Sequence, residues 1–346
     1  MLAAFKLTQP TRRELPMGRP TGILLATIAL GAAGCWLFKR SSSKNSAPPY
    51  SLPSGCSTRG SVGAGPVADS DGATTGLHAN TTLEVQRLAR LYRRYAHELK
   101  ALQAPARALC SALRAADRSF CSTDDVEAEL TYMRVREARP AHILELAPRA
   151  GYSTFFLLAA LLANRPSPGL VHSFDLEDLI QRPLLLRALG ELTAPNTSSA
   201  FFMSAHRLMV GDAKELLPPL MGSQGSPFFD YLFLDADHSG NFGTWLGHAV
   251  LRRQAVLQAG TGRRTPVSMH DVYHNYLPSA EAHNAFEQLP ASALTAARGS
   301  LFTAAKCRLG TKGWRALSRA RKVHGLLRKT PYMHAASNNP TLFFEL

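Results

Sequence analysis

Five short, mostly apolar runs, each leading to an acidic residue or a histidine, recur between residues 143 and 270 of the chain. The runs are residues 143–145, 170–174, 206–211, 228–234 and 266–269, and they end at or just before Glu145, Asp175, Asp212, Asp235 and His270. The fourth run is apolar almost throughout, which is typical of a strand buried on both faces of a sheet. The pattern predicts an α/β fold in which these polar residues meet at one edge of a parallel sheet, where ligands of such sheets bind.

Two helices are predicted before the first of these strands. Residues 83–102 carry apolar side chains at helical spacing, and Thr123 is placed to cap a second helix that ends before Pro140. Tyr92 and Tyr95 on the first helix either pack in the core or belong to a helix that covers a ligand or pairs protomers. The simpler interpretation is packing in the core.

The first strand leads into a loop suited to a polar or anionic ligand. Residues 143–154 read I-L-E-L-A-P-R-A-G-Y-S-T, so small residues directly precede a helix. The start of a helix offers unpaired backbone N–H groups and the positive end of its dipole. An ordinary turn between a strand and a helix is the alternative, since one such loop is a weak signal.

Together, the loop and the strand-end acids resemble the class I S-adenosylmethionine-dependent methyltransferases. The resemblance runs from about Thr123 to Leu346 and is closest to the small-molecule O-methyltransferases, which include catechol and cephalosporin-pathway enzymes. The family loop reads acid-x-Gly-x-Gly-x-Gly, and the corresponding residues here are Glu145, Ala147, Arg149 and Gly151. The chain departs from the family at Ala147 and Arg149, which replace two glycines.

The resemblance implies a fold and a set of cofactor-binding residues. The fold is a Rossmann-like seven-stranded methyltransferase sheet with helices on both faces, ending in an antiparallel hairpin formed by residues 299–302 and 341–344. Asp175 would accept hydrogen bonds from the ribose hydroxyls, and Asp212 would bind the adenine amino group with Ala213 against the ring. The full cofactor-binding set is Glu145, Ala147, Pro148, Gly151, Tyr152, Ser153, Asp175, Asp212, Ala213 and Asp235.

The resemblance also implies a metal site beside the cofactor. Asp235, His270 and Asp271 occupy the positions of metal ligands in metal-dependent members. A divalent cation would deprotonate and orient an acceptor hydroxyl, and chelation would then abolish transfer. Two carboxylates and an imidazole suit Mg or Mn, although histidine also favours iron or zinc. Alternatively, His270 is a rim histidine, that is, a histidine at this edge of the sheet whose ring nitrogens are hydrogen-bonded to neighbouring carboxylates.

A catalytic base is expected at His238. It lies three residues after Asp235, where catechol-type enzymes keep a lysine. An imidazole that titrates near neutrality suits a general base. The predicted catalytic residues are thus His238, Asp235 and Asp271, and the plainer alternative makes His238 a second rim histidine.

The N-terminal part of the chain has a different character. Residues 1–20 form a basic tail, 21–38 are 18 consecutive uncharged residues, and 39–80 have the composition of a flexible linker. Basic residues on both sides favour a single membrane-spanning anchor at 21–38 over a cleaved signal or an organelle-targeting segment. The orientation stays open because the flanking charge is nearly balanced. Residues 81–346 form the methyltransferase domain, with leading helices at 81–138 and the Rossmann-like core at 139–346.

Charge and cysteine content add little to this assignment. The net charge is +14, and ten basic residues with no acid lie between Glu287 and Glu345. Such a stretch is either a solvated helix face or a surface that binds anionic lipids, an acidic substrate or RNA. No aromatic RNA-binding motif accompanies the basic residues, so the sequence contains no specific nucleic-acid signal. The five cysteines have no metal-binding spacing and are interpreted as structural.

The sequence therefore predicts methyl transfer from S-adenosylmethionine to an oxygen of a small-molecule or glycan-like acceptor, with possible assistance from a metal. Two alternatives remain. One is a catalytically inactive methyltransferase-like binding module, which the altered glycine positions favour. The other is an NAD-type Rossmann oxidoreductase, which the acids after the third and fourth strands fit poorly. The oligomeric state stays unknown.

Overall fold

The computed structural model describes most of the chain from Thr81 onward. The described residues are 81–116, 125–164, 169–193, 195–222, 229–259, 262–270, 273–274, 277–300, 302–303, 316, 319, 321–323, 326 and 341–346. The chain divides into two units, Met1–Pro49 and Tyr50–Leu346, and all the described residues belong to the second. The predicted anchor at 21–38, the linker at 39–80, the helix cap at Thr123 and the proposed ligand Asp271 lie outside the described residues.

A seven-stranded sheet forms the centre of the described domain. Its strands, in chain order, are β1 (His142–Leu146), β2 (Leu170–Asp175), β3 (His206–Val210), β4 (Tyr231–Leu234), β5 (Pro266–Met269), β8 (Phe302–Thr303) and β9 (Leu342–Glu345). The spatial order is β3-β2-β1-β4-β5-β9-β8, with β1 to β5 parallel and β9 antiparallel to both neighbours. The predicted mostly parallel sheet with a terminal antiparallel hairpin is confirmed.

Helices cover both faces of this sheet. On one face lie α1 (Thr81–Ala116), α2 (Asp125–Ala138), α3 (Tyr152–Ala163), α4 (Arg182–Gly190) and α5 (Pro195–Ala205). On the other lie α6 (Ala213–Gly222), α7 (Gly240–Leu246), a π-helical continuation (Gly247–Arg252), α9 (Ala280–Glu287) and α10 (Ala291–Ser300). The helix α8 (Arg253–Ala259) extends the π-helical segment, and a short hairpin of β6 (Tyr273–His274) and β7 (Leu277–Pro278) follows β5.

Alternation along the strands divides the core into two layers. Ile143 packs with α1 to α5, and its neighbour Leu144 packs with α6, α7, the π-helical segment, α9 and α10. Phe343 and Phe344 on β9 divide between the two layers in the same way. Successive side chains of a strand point to opposite faces, so an apolar residue at every position requires helices on both sides.

Three predicted boundaries are wrong. α1 runs to Ala116 rather than stopping near 102, because its buried face continues through Leu109 and Leu113, and Pro105 removes only one backbone donor. β4 begins at Tyr231 rather than 228, because the Asp230 carboxylate accepts the backbone N–H groups of residues 141 and 142. The first hairpin strand begins at Phe302, later than the predicted 299.

The leading helices belong to the core. Tyr92 and Tyr95 are buried, and the Tyr92 hydroxyl donates to the Glu129 carboxylate at 2.7 Å. Arg321 donates two hydrogen bonds to the same carboxylate, at 2.9 and 2.8 Å. These contacts join α1, α2 and the C-terminal part of the chain, which agrees with the core interpretation of both tyrosines.

Two further findings concern the membrane and cysteine predictions. Among the helices that the structure describes, none is both long and apolar enough to cross a membrane, so the segment at 21–38 stays a prediction. Cys110 is buried in α1 and is disulfide-bonded, in keeping with the structural role expected of the cysteines.

Candidate functional site

The polar ends of the parallel strands lie along one edge of the sheet. Backbone hydrogen bonds at this edge join the loop residue Ala147 to Phe174 of β2, Gly211 to Asp175, and His270 to Leu234, each at 2.8 Å. They connect the end of β1 to β2, the end of β2 to β3, and the end of β4 to β5. The sequence prediction that these ends converge is confirmed.

The loop between β1 and α3 adopts a left-handed backbone at alternate residues. The φ angles are +57° at Ala147, +49° at Arg149 and +95° at Gly151. These are the three positions where the family pattern has glycine. A side chain in this region costs about 1 to 2 kcal/mol, so Ala147 and Arg149 hold a glycine-like path under strain.

The first turn of α3 presents backbone donors at the end of this loop. Gly151 occupies the N-cap position, and no side chain caps this end of the helix. The first turn also contains no acidic residue. An uncapped helix start directs N–H groups and the positive end of the dipole towards a ligand.

Glu145 lies behind the loop rather than on its surface. Its side chain is fully buried and accepts hydrogen bonds from Ser153 Oγ at 2.8 Å, Thr154 Oγ1 at 3.0 Å and Ser173 Oγ at 2.5 Å. Burial raises the pKa of the carboxyl to about 7, although the three hydroxyl groups partly oppose this shift. The structure thus gives Glu145 the role of holding the loop, α3 and β2 together.

Two other predicted cofactor residues also face inward. Tyr152 is 7% exposed and packs edge-on against Phe156, with 5.3 Å between ring centroids. Pro148 is buried, and its carbonyl accepts the N–H of Gly151 at 2.9 Å. Ser153 is half-buried and bonded to Glu145. These residues shape the loop, in which Gly151 is also buried and Ala147 is half-buried.

Asp175 joins the end of β2 to the loop. One carboxylate oxygen accepts the backbone N–H of Arg149 at 2.9 Å, and the other accepts the N–H of Leu176 at 2.8 Å. Each carboxylate oxygen can accept a second hydrogen bond, so capacity remains for a diol. The side chain of Leu176, directly after Asp175, is 70% exposed. It offers an apolar surface against which an aromatic ring of a ligand could pack.

Asp212 sits at the start of α6. Its side chain accepts the N–H of Lys214 at 2.8 Å, and its carbonyl accepts the N–H groups of Glu215 and Leu216 at 3.0 Å. The side chain is exposed, and Ala213 next to it is half-buried. Asp212 therefore caps a helix and also presents a carboxylate oxygen at the edge of the sheet.

The predicted metal ligands Asp235 and His270 contact each other directly. His270 Nδ1 lies 3.0 Å from Asp235 Oδ1, and Nε2 lies 3.5 Å from Glu127 Oε2 on α2. Both ring nitrogens thus face carboxylates, and the His270 side chain is 3% exposed. Asp271 lies outside the described residues, and no group of three His, Cys, Asp or Glu side chains in the described part of the chain could hold a metal ion. The contacts of His270 match the alternative of a rim histidine held by carboxylates, and the three-residue ligand set stays a prediction because Asp271 is not among the described residues.

His238 forms a hydrogen-bonded pair with an acidic residue that the sequence did not reveal. Its Nδ1 lies 2.8 Å from Glu281 Oε2 on α9. The His238 side chain is 38% exposed, and the Glu281 side chain is 2% exposed. Burial raises the pKa of Glu281, the bond to His238 lowers it, and the charges of Asp235 and Asp237 raise it.

A close helix contact places Glu281 beside His238. A Cβ added at Gly243 of α7 would lie 2.2 Å from the backbone oxygen of Glu281, and one at Gly247 would lie 2.6 Å from the backbone oxygen of Ala285. The Asn284 amide donates to the Gly240 carbonyl at 2.9 Å. Three glycines on one helix therefore let α9 approach to backbone contact.

Sequence analysis missed three residues of this site. Ser173 gave a usable signal, since a hydroxyl within an apolar strand needs a buried partner. Thr154 follows the predicted Ser153 and shares its acceptor. Glu281 gave none, because an acid in the first turn of a helix usually faces solvent.

Comparison with known proteins gives matches only among solved structures. No family model matches the sequence, and no curated protein does. The O-methyltransferase TomG of Streptomyces achromogenes, involved in tomaymycin synthesis and solved with S-adenosylmethionine, is 17% identical and has a TM-score of 0.35, covering 70% of this chain and 88% of its own. An O-methyltransferase of Bacillus cereus in complex with S-adenosylhomocysteine is 12% identical with a TM-score of 0.38, covering 75% and 99%.

A third match is a methyltransferase of Podospora anserina bound to S-adenosylhomocysteine, at 14% identity and a TM-score of 0.34, covering 70% of this chain and 87% of its own. The proteins in these three structures are methyltransferases.

Proposed function

We propose that this protein transfers a methyl group from S-adenosylmethionine to an oxygen of a small-molecule or glycan-like acceptor. The observation that carries the proposal is the left-handed backbone at Ala147, Arg149 and Gly151. Two of these residues have a Cβ and remain in a conformation that glycine adopts more easily. Strain of this kind persists where a ligand-binding shape is maintained.

The cofactor would lie across the carboxyl ends of β1, β2 and β3. The methionine part would meet the backbone of the loop and the uncapped start of α3. Asp175 would hold the ribose hydroxyls through its carboxylate, and Asp212 and Ala213, with the exposed Leu176, would hold the adenine. When bound, S-adenosylmethionine supplies a methyl group on a positively charged sulfur.

The acceptor would approach from the side of β4. His238 would take the proton from the acceptor hydroxyl, whose oxygen forms the new bond to carbon as the bond from carbon to sulfur breaks and its electron pair stays on sulfur. Asp235 would contribute negative charge close to the cationic cofactor. Correct placement of the two reactants supplies much of the acceleration in such a transfer.

We propose no step through a metal ion. Both nitrogens of His270 are directed at carboxylates, one of which is Asp235, and Asp271 lies outside the described residues. Removal of the acceptor proton is assigned to the imidazole of His238.

Membrane attachment is a separate proposal. Residues 21–38 contain no charge and are flanked by basic residues, which supports a single-pass anchor. A fusion of residues 1–60 to a soluble reporter should then resist extraction with alkaline carbonate. Recovery in the soluble fraction with a shortened N-terminus would identify a cleaved organelle-targeting segment instead.

Calorimetry with S-adenosylhomocysteine tests the proposed activity. The protein should bind this product, and Asp175→Ala should weaken binding by about 1.5 to 3 kcal/mol, roughly ten- to a hundredfold, because hydrogen bonds to a charged group are lost. Asp178→Ala is the matched control, since this exposed acid pairs with Arg182 at 2.8 Å on the same loop. Absence of binding by the wild type would refute the proposal. Binding without transfer to any acceptor, with labelled cofactor, would identify an inactive binding module.

A further inference from the structure

Glu281 is a buried carboxylate with an incomplete set of partners. Its Oε2 is bonded to His238, whereas its Oε1 is buried and has no hydrogen-bond partner among the described residues. Burial of a carboxylate is unfavourable unless its oxygens are paired, and most such oxygens in proteins are. Stability alone therefore gives no reason to keep an acid at this position.

The charges around Glu281 make its burial still less favourable. Asp235 and Asp237, on the loop between β4 and α7, both raise the pKa of the Glu281 carboxyl. His238 is a positively ionisable group that lowers the pKa of this carboxyl. The bond to the imidazole offsets part of the free-energy cost of burying the Glu281 carboxylate. This indicates that Glu281 acts through its contact with His238.

We propose that Glu281 is a positioning residue for His238 in methyl transfer, an inference that rests on the proposed function. An ionised carboxylate can only accept a hydrogen bond, so Nδ1 of His238 carries the proton and donates it. Nε2 is then the nitrogen that receives the proton of the acceptor hydroxyl. As the imidazole becomes positively charged, the buried negative charge beside it stabilises the product of the proton transfer.

The helix contact gives this pair a defined geometry. Gly243 and Gly247 bring α9 against α7, and Ser239 caps α7 directly after His238 through a bond from Phe242 N to Ser239 Oγ at 3.2 Å. Ser279 caps α9 two residues before Glu281 in the same way, with Ala282 N as donor at 3.2 Å. His238 thus directly precedes a capped helix and Glu281 lies in the first turn of another, which limits the movement of each relative to the other.

A second histidine–glutamate pair on the same helix provides a matched control. His283 Nε2 lies 3.2 Å from Glu287 Oε1, four residues apart on α9, with side chains 30% and 53% exposed. The chemistry of the two pairs is alike, but solvent screens the second. Glu287→Gln therefore removes the same charge at a site where only a surface effect is expected.

The decisive experiment is a titration of the His238 imidazole by nuclear magnetic resonance in the full chain, saturated with S-adenosylhomocysteine. Glu281→Gln should lower the pKa of His238 by one unit or more, because the adjacent negative charge is lost, and Glu287→Gln should leave it unchanged. With catechol as the methyl acceptor, Glu281→Gln should lower kcat ten- to a hundredfold with little change in KM for the cofactor. The acid limb of the pH profile should move to lower pH.

Stability separates this role from a structural one. The Gln variant keeps the shape of the side chain and removes a buried charge, so its midpoint of urea unfolding should stay the same or rise. Glu281→Asp, which retains the charge on a shorter side chain, should recover part of kcat. A His238 titration that Glu281→Gln does not move, or a clear fall in the unfolding midpoint, would overturn the inference. If the wild type fails to bind S-adenosylhomocysteine, the proposed function fails first, and the titration still reports on the pair.

Discussion

The hydroxyl of Ser173 donates to the carboxylate of Glu145 at 2.5 Å, with both side chains fully buried. The bond joins β2 to the acid at which the cofactor loop begins. Glu145 therefore holds the loop from behind, and its ionisation is coupled to folding.

The first prediction concerns the pH dependence of stability. Burial raises the pKa of Glu145 from 4.5 to about 7, so its contribution to stability is complete below pH 4.5 and is lost as the pH rises through about 7. The corresponding free energy is about 3 kcal/mol at most. In urea unfolding, Glu145→Gln should match the wild type near pH 5 and become progressively more stable by comparison up to pH 8. The exposed Glu215→Gln should show no such trend, and a constant difference for Glu145→Gln would contradict the prediction.

The second prediction concerns strain in the loop. Ala147→Gly and Arg149→Gly should each stabilise the protein by about 0.5 to 1 kcal/mol, because relief of the left-handed strain exceeds the added flexibility of glycine. Ala150→Gly is the control, since Ala150 directly follows Arg149 and is buried without a positive φ. It should destabilise by about 1 to 2 kcal/mol. Destabilisation by all three substitutions would show that the loop takes another path.

The third prediction concerns the contact between α7 and α9. Gly243→Ala should lower the free energy of unfolding by about 1 to 3 kcal/mol, because the new methyl group must push Glu281's backbone away. Gly190→Ala on α4 meets only Ser198 Oγ, at 3.6 Å, and should be neutral or stabilising by up to about 1 kcal/mol. Equal effects of the two substitutions in chemical denaturation would argue against the close contact.

The fourth prediction concerns metal dependence. Since His270 faces Asp235 and Glu127, excess chelator should leave methyl transfer unchanged. Transfer is measured with labelled cofactor before and after dialysis against chelator. Loss of activity that Mg or Mn restores would instead support the original ligand set, with Asp271 as a member.

The fifth prediction concerns the disulfide at Cys110. Reduction should destabilise the protein by about 2 to 4 kcal/mol, and Cys110→Ser should do the same and abolish the effect of reductant. Peptide mapping by mass spectrometry under non-reducing conditions identifies the partner cysteine. Disulfides persist in oxidising compartments, so a bonded Cys110 in protein from cells would favour a lumenal or extracellular domain. A free thiol there would contradict this placement.

The sequence predicted the sheet well because the sheet depends on local pattern. Apolar runs that end on Asp175, Asp212 and Asp235 are short, regular and bounded by polar residues, so β2 and β3 were found almost to the residue. The number of strands and the terminal antiparallel hairpin came from the family resemblance, and the spatial order of the strands was not predicted. The extent of α1 was missed because Pro105 is a helix-breaking signal that buried contacts override.

The site was less predictable because it depends on distant packing. Glu281 is buried through a contact with Gly243, 38 residues earlier, and neither residue has a local signature for it. His270 matched a ligand pattern, yet Glu127 on α2 approaches its second nitrogen. Sequence spacing predicts which type of residue lies at the end of a strand. The side chains that contact this residue from distant parts of the chain are determined by the fold.

The position of β9 has a consequence for the synthesis of this protein. β9 lies between β5 and β8 in the sheet, although its residues follow those of β5 by a long stretch of chain. A ribosome makes β5 well before β9, so the apolar edge formed by Val267 and Met269 stays unpaired during that interval. Unpaired strand edges readily join other chains. Nascent copies of this protein should therefore depend on chaperones until β9 pairs with β5, even where the finished domain is stable.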